Sequence, residues 1–244
     1  MKKYVFYFFV VFISFSCKKK DNNSLNEKNC DVSSYIRDNY TYDAKFLIYN
    51  DIFRDSSVHP NYNLPYFDSL EVEKRLQAIQ AVYDLHSPQS DSIFNLYKIH
   101  MYSFYSLNKI HIYADSGSIE IRNLTKKLPT GNLTFDSIMN LFQFQSIDTG
   151  FRHPNLYFVS TNIETPLSLN MIPILNKINQ LPFILSATNN VFGGTGSIIQ
   201  YYKENNEDIL KFSYGFGDCP SGCTDYYVWE FKIKDCTATF SKRY

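Results

Sequence analysis

Between Ile209 and Cys236 the chain alternates apolar and polar residues with period two, ILKFSYGFGDCPSGCTDYYVWEFKIKDC. Leu210, Phe212, Tyr214 and Phe216 share one face of a rising arm. Tyr227, Trp229, Phe231 and Ile233 share one face of a returning arm, with Glu230, Lys232 and Lys234 opposite. The pattern predicts a β-hairpin with one face on a core and the other toward water. Its tip runs from Gly217 to Cys223, and Pro220, Ser221 and Gly222 supply the turn dihedrals that bring two cysteines four positions apart within reach.

Helical spacing dominates the first half. From Ser33 to Arg54, Tyr42, Phe46, Tyr49 and Phe53 recur at i, i+4, i+7 and i+11, which predicts a helix with that stripe inward. A breaker around Pro60 and Pro65 follows. Asp68 then opens a second helix, accepting a hydrogen bond from the backbone three residues on, and Val72, Leu76, Ile79 and Tyr83 form its inner face to an end near Pro88. Ile93 to Tyr105 fits neither period. Lys109 to Asp115 and Ser118 to Asn123, with Ile110, Ile112, Ile119 and Ile121 alternating around a turn at Asp115 to Gly117, predict a hairpin. Thr134 caps a short helix through Phe142, with Phe135, Ile138 and Phe142 inward, and a strand covers Leu156 to Thr161. Asn170 to Leu181 is helical with Pro173 in its first turn, Phe183 to Val191 is extended, and Ser197 to Tyr202 is a strand. The sum is an α+β domain in which N-terminal helices pack with a largely antiparallel sheet and a disulfide closes the C-terminal hairpin. It covers residues 30–244, as one domain or as lobes 30–150 and 151–244.

The first 17 residues have a different character. Lys2 and Lys3 precede an uncharged run from Tyr4 to Phe15, too short for the ~20 residues that span a bilayer and suited to a signal-peptide core. Ile13 to Cys17 resembles the lipobox of bacterial lipoproteins, in which the cysteine is diacylated and becomes the new N-terminus; Ser14 stands where leucine is commoner. Cys17 is therefore the expected lipidation site and residues 1–17 a lipoprotein signal peptide. Residues 18–29 are polar and read as a disordered tether. Lys18 after the lipid cysteine resembles lipoproteins released to the outer membrane, and the Lys-rich tether resembles those displayed on the cell surface. The expected partner is thus the membrane, through an N-terminal lipid anchor.

Removing residues 1–17 takes two lysines from 24 basic residues and nothing from 24 acidic ones, a slight acidic excess that argues against nucleic acid. A protein or glycan partner is left open. Twenty Tyr and 21 Phe resemble a binding surface, but Asn, Lys and Ile, which share their A/T-rich codons, are abundant as well and account for the number more simply.

With Cys17 lipidated, Cys30, Cys219, Cys223 and Cys236 remain, an even set in an oxidising compartment with three possible pairings. Cys219 with Cys223 and Cys30 with Cys236 is the expected arrangement. A four-cysteine zinc site is the sharper alternative, but three residues between ligands is not the usual spacing and no second close pair exists. No metal or other cofactor is expected.

Catalytic patterns are sparse. Gly193 to Gly196 lacks the Lys and Ser/Thr of a phosphate loop, and His59, His86, His100, His111 and His153 include no close ligand pair. No Gly-x-Ser-x-Gly elbow occurs, and Asp68 and Glu71 are explained by helix capping. No catalytic set is assigned.

The stretch Gly217 to Cys223 with the aromatic strand after it resembles a group of exported bacterial lipoproteins that carry a Gly-Asp-Cys-Pro-x-Gly-Cys hairpin near the C-terminus. Weaker likenesses lie around Ala78 to Tyr83, Tyr97 to His100 and Thr130 to Asn132. The resemblance implies export and no particular activity. The leading expectation is a non-enzymatic, membrane-anchored interaction or structural lipoprotein. Alternatives are a carbohydrate- or peptide-binding module using exposed Tyr, Phe and Trp229, and an extracytoplasmic hydrolase with site residues on separate loops. Cys17→Ser is expected to abolish labelling by radioactive fatty acid and to release the protein in soluble form; a mutant that stays membrane-bound like wild type would remove the lipid anchor from this account.

Overall fold

The computed structural model describes residues 30–148, 150–152, 158–190, 196–205, 207–219 and 221–243. The signal peptide, Cys17 and the tether lie outside the described residues, as do His153, Pro220 and most of the run Gly193 to Gly196. Among the described residues, six α-helices and nine strands form an α+β fold with two antiparallel sheets.

Helix α1, Ser34–Asp55, begins where the Ser33 hydroxyl accepts from the Ile36 N–H. Its expected inner stripe is only half right. Phe46 and Tyr49 are buried, whereas Tyr42 and Phe53 are 43% and 52% exposed. The reason is a second buried stripe, Ile36, Tyr40, Ala44 and Leu47, on another side of the same helix. Helix α2, Ser69–Tyr83, packs along α1, and the Asp68 carboxylate accepts from Leu70 N at 2.8 Å, two residues on rather than three. The undecided stretch becomes a capped turn of helix, α3 at Pro88–Asp91, continued by a π-helical turn at Ser92–Leu96 that drives Ile93 and Phe94 inward.

Strand β1, Lys109–Asp115, buries Ile110, Ile112 and Ala114 on one face. The hairpin expected after it does not form. Ser118 caps a helix instead, α4 at Ile119–Thr125, with its hydroxyl accepting from Ile121 N at 3.0 Å. Ile121 and Leu124, three apart, are buried while Ile119 is 56% exposed. Isoleucines two positions apart fit the strand period, whereas Ile121 and Leu124, three apart, fit the helical one, and the cap decides. In α5, Leu133–Leu141, the cap is Asn132, which accepts from Phe135 N, and not Thr134; Phe135, Ile138 and Phe142 do point inward.

Strands β2 (Gln145–Ser146), β3 (Phe151–Arg152) and β4 (Phe158–Glu164) follow, then α6 at Met171–Ile178, capped by Asn170, and β5 at Ile184–Thr188. The first sheet has the order β2-β4-β1-β5, with β3 also on β4. The second is a meander of β6 (Ile198–Glu204), β7 (Glu207–Phe216), β8 (Asp225–Lys234) and β9 (Thr237–Arg243). Strands β7 and β8 are the hairpin that the alternation predicts. Leu210 lies opposite Phe231 and Phe212 opposite Trp229, all buried. Glu230 departs from expectation, being 5% exposed rather than turned to water. Strands on both sides of β8 cover it, and its carboxylate meets Lys242 of β9 at 3.5 Å and the Tyr202 hydroxyl of β6 at 3.5 Å.

The buried side chains form two clusters, and the chain builds them in a nested order. One joins α1, α2 and the π turn to the second sheet; the other joins residues 107–187 to Phe46 and Tyr49 of α1. Cys30 and Cys236, 206 positions apart, form a disulfide with Cα atoms 5.7 Å apart, tying the start of α1 to the β8–β9 turn. Cys219 and Cys223 close the hairpin tip, where Gly217 takes φ +89° against Thr224. In the loop-entropy picture the long ring contributes about 5 kcal/mol at most and the short one about 2. Cys236→Ser is accordingly expected to lower stability to denaturant clearly more than Cys223→Ser. Mapping of non-reduced peptides checks the pairing, and recovery of Cys30 joined to Cys219 or Cys223 would refute it.

Candidate functional site

A groove of about 570 Å³ opens where the last turns of α1, helix α6 and the end of β5 meet. Tyr49 and Phe53, four apart on α1, present nearly parallel rings with centroids 6.4 Å apart and 21° between planes. Tyr105, held in place by its bridge to Asn190, adds a third ring, 5.2 Å from Phe53 and 5.8 Å from Tyr49. Phe53, half exposed, is the open ring of the three. Tyr62 closes one end, and its hydroxyl accepts from Asn176 Nδ2 at 3.4 Å.

The polar part of the lining is four side-chain amides together with the hydroxyls of Ser56, Thr188 and the tyrosines. Asn189 is buried and donates to the Ser106 carbonyl at 2.8 Å and to the Tyr49 hydroxyl at 3.1 Å, so it fixes the inner ring from behind. Burial raises the Tyr49 phenol to about 12, with Asn189 pulling it down and Tyr105 pushing it up, so it stays protonated. Asn179 has a separate task. Its Oδ1 accepts from Ala187 N at 2.7 Å and its Nδ2 donates to Ala187 O at 3.0 Å. Strand β5 is an edge of the first sheet, and this side chain occupies both outward backbone groups of Ala187. Asn176 and Asn190 are exposed at the mouth. Among the described residues no Asp, Glu, His, Lys or Arg lines the groove.

The residues singled out in the sequence lie elsewhere. Trp229 is 1% exposed and belongs to the core, so it is no binding ring. Asp68 and Glu71 serve a helix cap and a 3.5 Å pair with Lys74. His59 accepts from Asn61 N within its loop, His86 sits in a turn at φ 43°, and His111 meets Asn162. Among the described residues no group of three His, Cys, Asp or Glu is placed to hold a metal ion, and no helix is long and apolar enough to cross a membrane. The groove was missed because its rings and amides come from five separate stretches of chain, and no spacing in the sequence joins them. No protein family, curated protein or solved structure matches this chain to a significant degree.

One histidine has an unexpected partner. Asp43, on α1 and 2% exposed, faces His100 Nδ1 at 2.8 Å and also accepts from Met101 N, so it latches the 97–105 segment to the helix that bears the groove. The hydrogen bond that His100 donates to Asp43 raises the imidazole pKa above its ordinary 6.5 despite burial, which opposes it. A raised folded value means that the pair contributes fully below about pH 6.5, the ordinary histidine value, and that the contribution is lost as pH rises through the folded value. Melting temperature measured against pH is therefore expected to fall across that window in the wild type and to change less in His100→Gln. Parallel profiles would show that the pair carries no stability.

Proposed function

We propose that the protein is a lipid-anchored extracytoplasmic lipoprotein of the outer membrane, non-enzymatic, that binds a neutral glycan in the groove between α1, α6 and β5. The observation that carries this reading is the lining, in which rings and side-chain amides meet with no charged group among the described residues. Flat apolar faces of pyranose rings pack on aromatic side chains, and an amide offers a donor and an acceptor side by side, the complement of neighbouring hydroxyls. An ionised ligand would enter this groove without a counter-charge, at the cost of its hydration.

Peptide binding is disfavoured by Asn179. An extended peptide docks most simply by adding a strand to a free sheet edge, and here the side chain already fills both outward positions of Ala187 on β5. Glycoside hydrolysis takes two carboxyl groups flanking the bond, and the lining supplies amides instead. The anchor follows from the short apolar run ending at Cys17.

Titration of the detergent-solubilised full chain with neutral oligosaccharides tests the proposal. Phe53→Ala removes an open ring worth about 1 kcal/mol or more of stacking, so affinity is expected to fall about tenfold while the melting temperature changes little. Asn176→Ala should weaken binding in the same direction. Binding of peptides but not of neutral glycans, or an unchanged affinity in Phe53→Ala, would overturn the assignment.

A further inference from the structure

A second and larger cavity, about 710 Å³, opens beside the Cys30–Cys236 disulfide, between α2, the end of α1 and strands β6 and β7. Its character is the reverse of the groove's. Five basic and four acidic side chains line it, a dense but nearly balanced set of charges. At its centre Arg75 of α2 is held on two sides. Its Nη2 donates to Asp51 at 2.9 Å, and its guanidinium carbon lies 3.9 Å above the Tyr201 ring. Asp51 is shared, since Arg54 Nη2 reaches its other oxygen at 3.0 Å. The guanidinium is therefore fixed in position before any ligand arrives.

Two polar atoms in this cavity are left over. Arg75 Nε and Asp208 Oδ1 are both buried and have no hydrogen-bond partner. The nearest cation to Asp208 Oδ1 is Lys203 Nζ at 3.8 Å, too far for a hydrogen bond, on a side chain that is 75% exposed. Such atoms ordinarily find partners, because an unmet buried donor or acceptor is costly and more so when the group is charged. Burial raises the Tyr201 phenol, Arg75 lowers it and Asp208 raises it again; the net rise keeps the hydroxyl protonated.

One guanidinium N–H, at Arg75 Nε, without an acceptor and one carboxylate oxygen, Asp208 Oδ1, without a donor call for one molecule that carries both complements. We propose that this cleft binds a small zwitterion, its carboxylate on Arg75 and its ammonium on Asp208 in place of Lys203. The near balance of the walls favours such a ligand over a polyanion, which Asp51, Glu71, Asp208 and Asp235 would repel, and over a polycation, which the basic set would repel. The side chain of Asp208 is about one-third exposed. The shared chemistry, an ammonium and a carboxylate, occurs in a free α-amino acid and at the two ends of a short peptide.

Calorimetric titration of the detergent-solubilised full chain with free amino acids of neutral, basic and acidic side chain, with their N-acetyl and amide derivatives, and with dipeptides tests the assignment. At least one free amino acid or dipeptide is expected to bind. Blocking either its amino or its carboxyl group is expected to weaken it about tenfold or more, since each removes a charge-assisted hydrogen bond. Tighter binding of a dipeptide than of its amino acids identifies chain ends as the ligand; the opposite order identifies the free amino acid. Asp208→Asn should weaken binding by a similar factor with the melting temperature retained, and Phe53→Ala should leave it unchanged, which separates this site from the glycan groove. No binding by any zwitterion, equal binding of the blocked derivatives, or preference for inorganic phosphate would overturn the proposal.

Discussion

Helix α1 is buried on two sides, and the rest of the molecule is arranged around that constraint. Ile36, Tyr40, Ala44 and Leu47 enter the cluster under the second sheet, while Phe46 and Tyr49 enter the cluster under the first. A single rod of 22 residues thus belongs to both hydrophobic cores. Helices α4, α5 and α6 share the first cluster with it and α2 shares the second, so α1 is the helix common to both sheets. The chain leaves α1 and α2, builds the first sheet, and returns to complete the second against the helices it began with. Cys30–Cys236 closes that return, and the Asp43 latch on His100 and Met101 holds the crossing segment to the same helix.

Both cavities open at the far end of α1, on opposite sides. Tyr49, Phe53 and Ser56 line the aromatic groove, and Asp51 and Arg54 line the charged cleft. At about 100° per residue these sets lie across the helix from one another, so one element divides a neutral site from an ionic one. Their different chemistry follows from what faces each side. Toward α6 and β5 the helix meets side-chain amides and an edge strand already satisfied by Asn179; toward α2 and β6 it meets Arg75, Tyr201 and Asp208.

Local signals in the sequence were legible where the energy is local. The start of α1 at Ser33, the helical character of α2, α5 and α6, and the β7–β8 hairpin all follow from caps, prolines and strict periodicity within short windows. The α+β class followed from the same signals. Errors arose where two local descriptions competed. Ile119 and Ile121 suit a strand, Ile121 and Leu124 a helix, and the Ser118 cap together with burial of Leu124 chose the helix. Thr134 and Asn132 both suit an N-cap, and the chain used the asparagine.

What the sequence by itself determined was therefore most of the longer elements and the cysteines available to fasten them, because turn dihedrals, capping hydrogen bonds and side-chain periodicity act within a few residues. Which side of each element is inside was decided only in three dimensions. Tyr42 and Phe53 carry the same apolar signal as Phe46 and Tyr49 but end exposed, since α1 turns a second stripe inward; Glu230 reads as a surface residue and is buried, since β6 and β9 close over it. The candidate sites lie wholly on that second level. Tyr49, Tyr105, Asn176 and Asn189, like Asp51, Arg75 and Asp208, are scattered along the chain, and only the packing of two sheets on one shared helix brings each set to a common cavity.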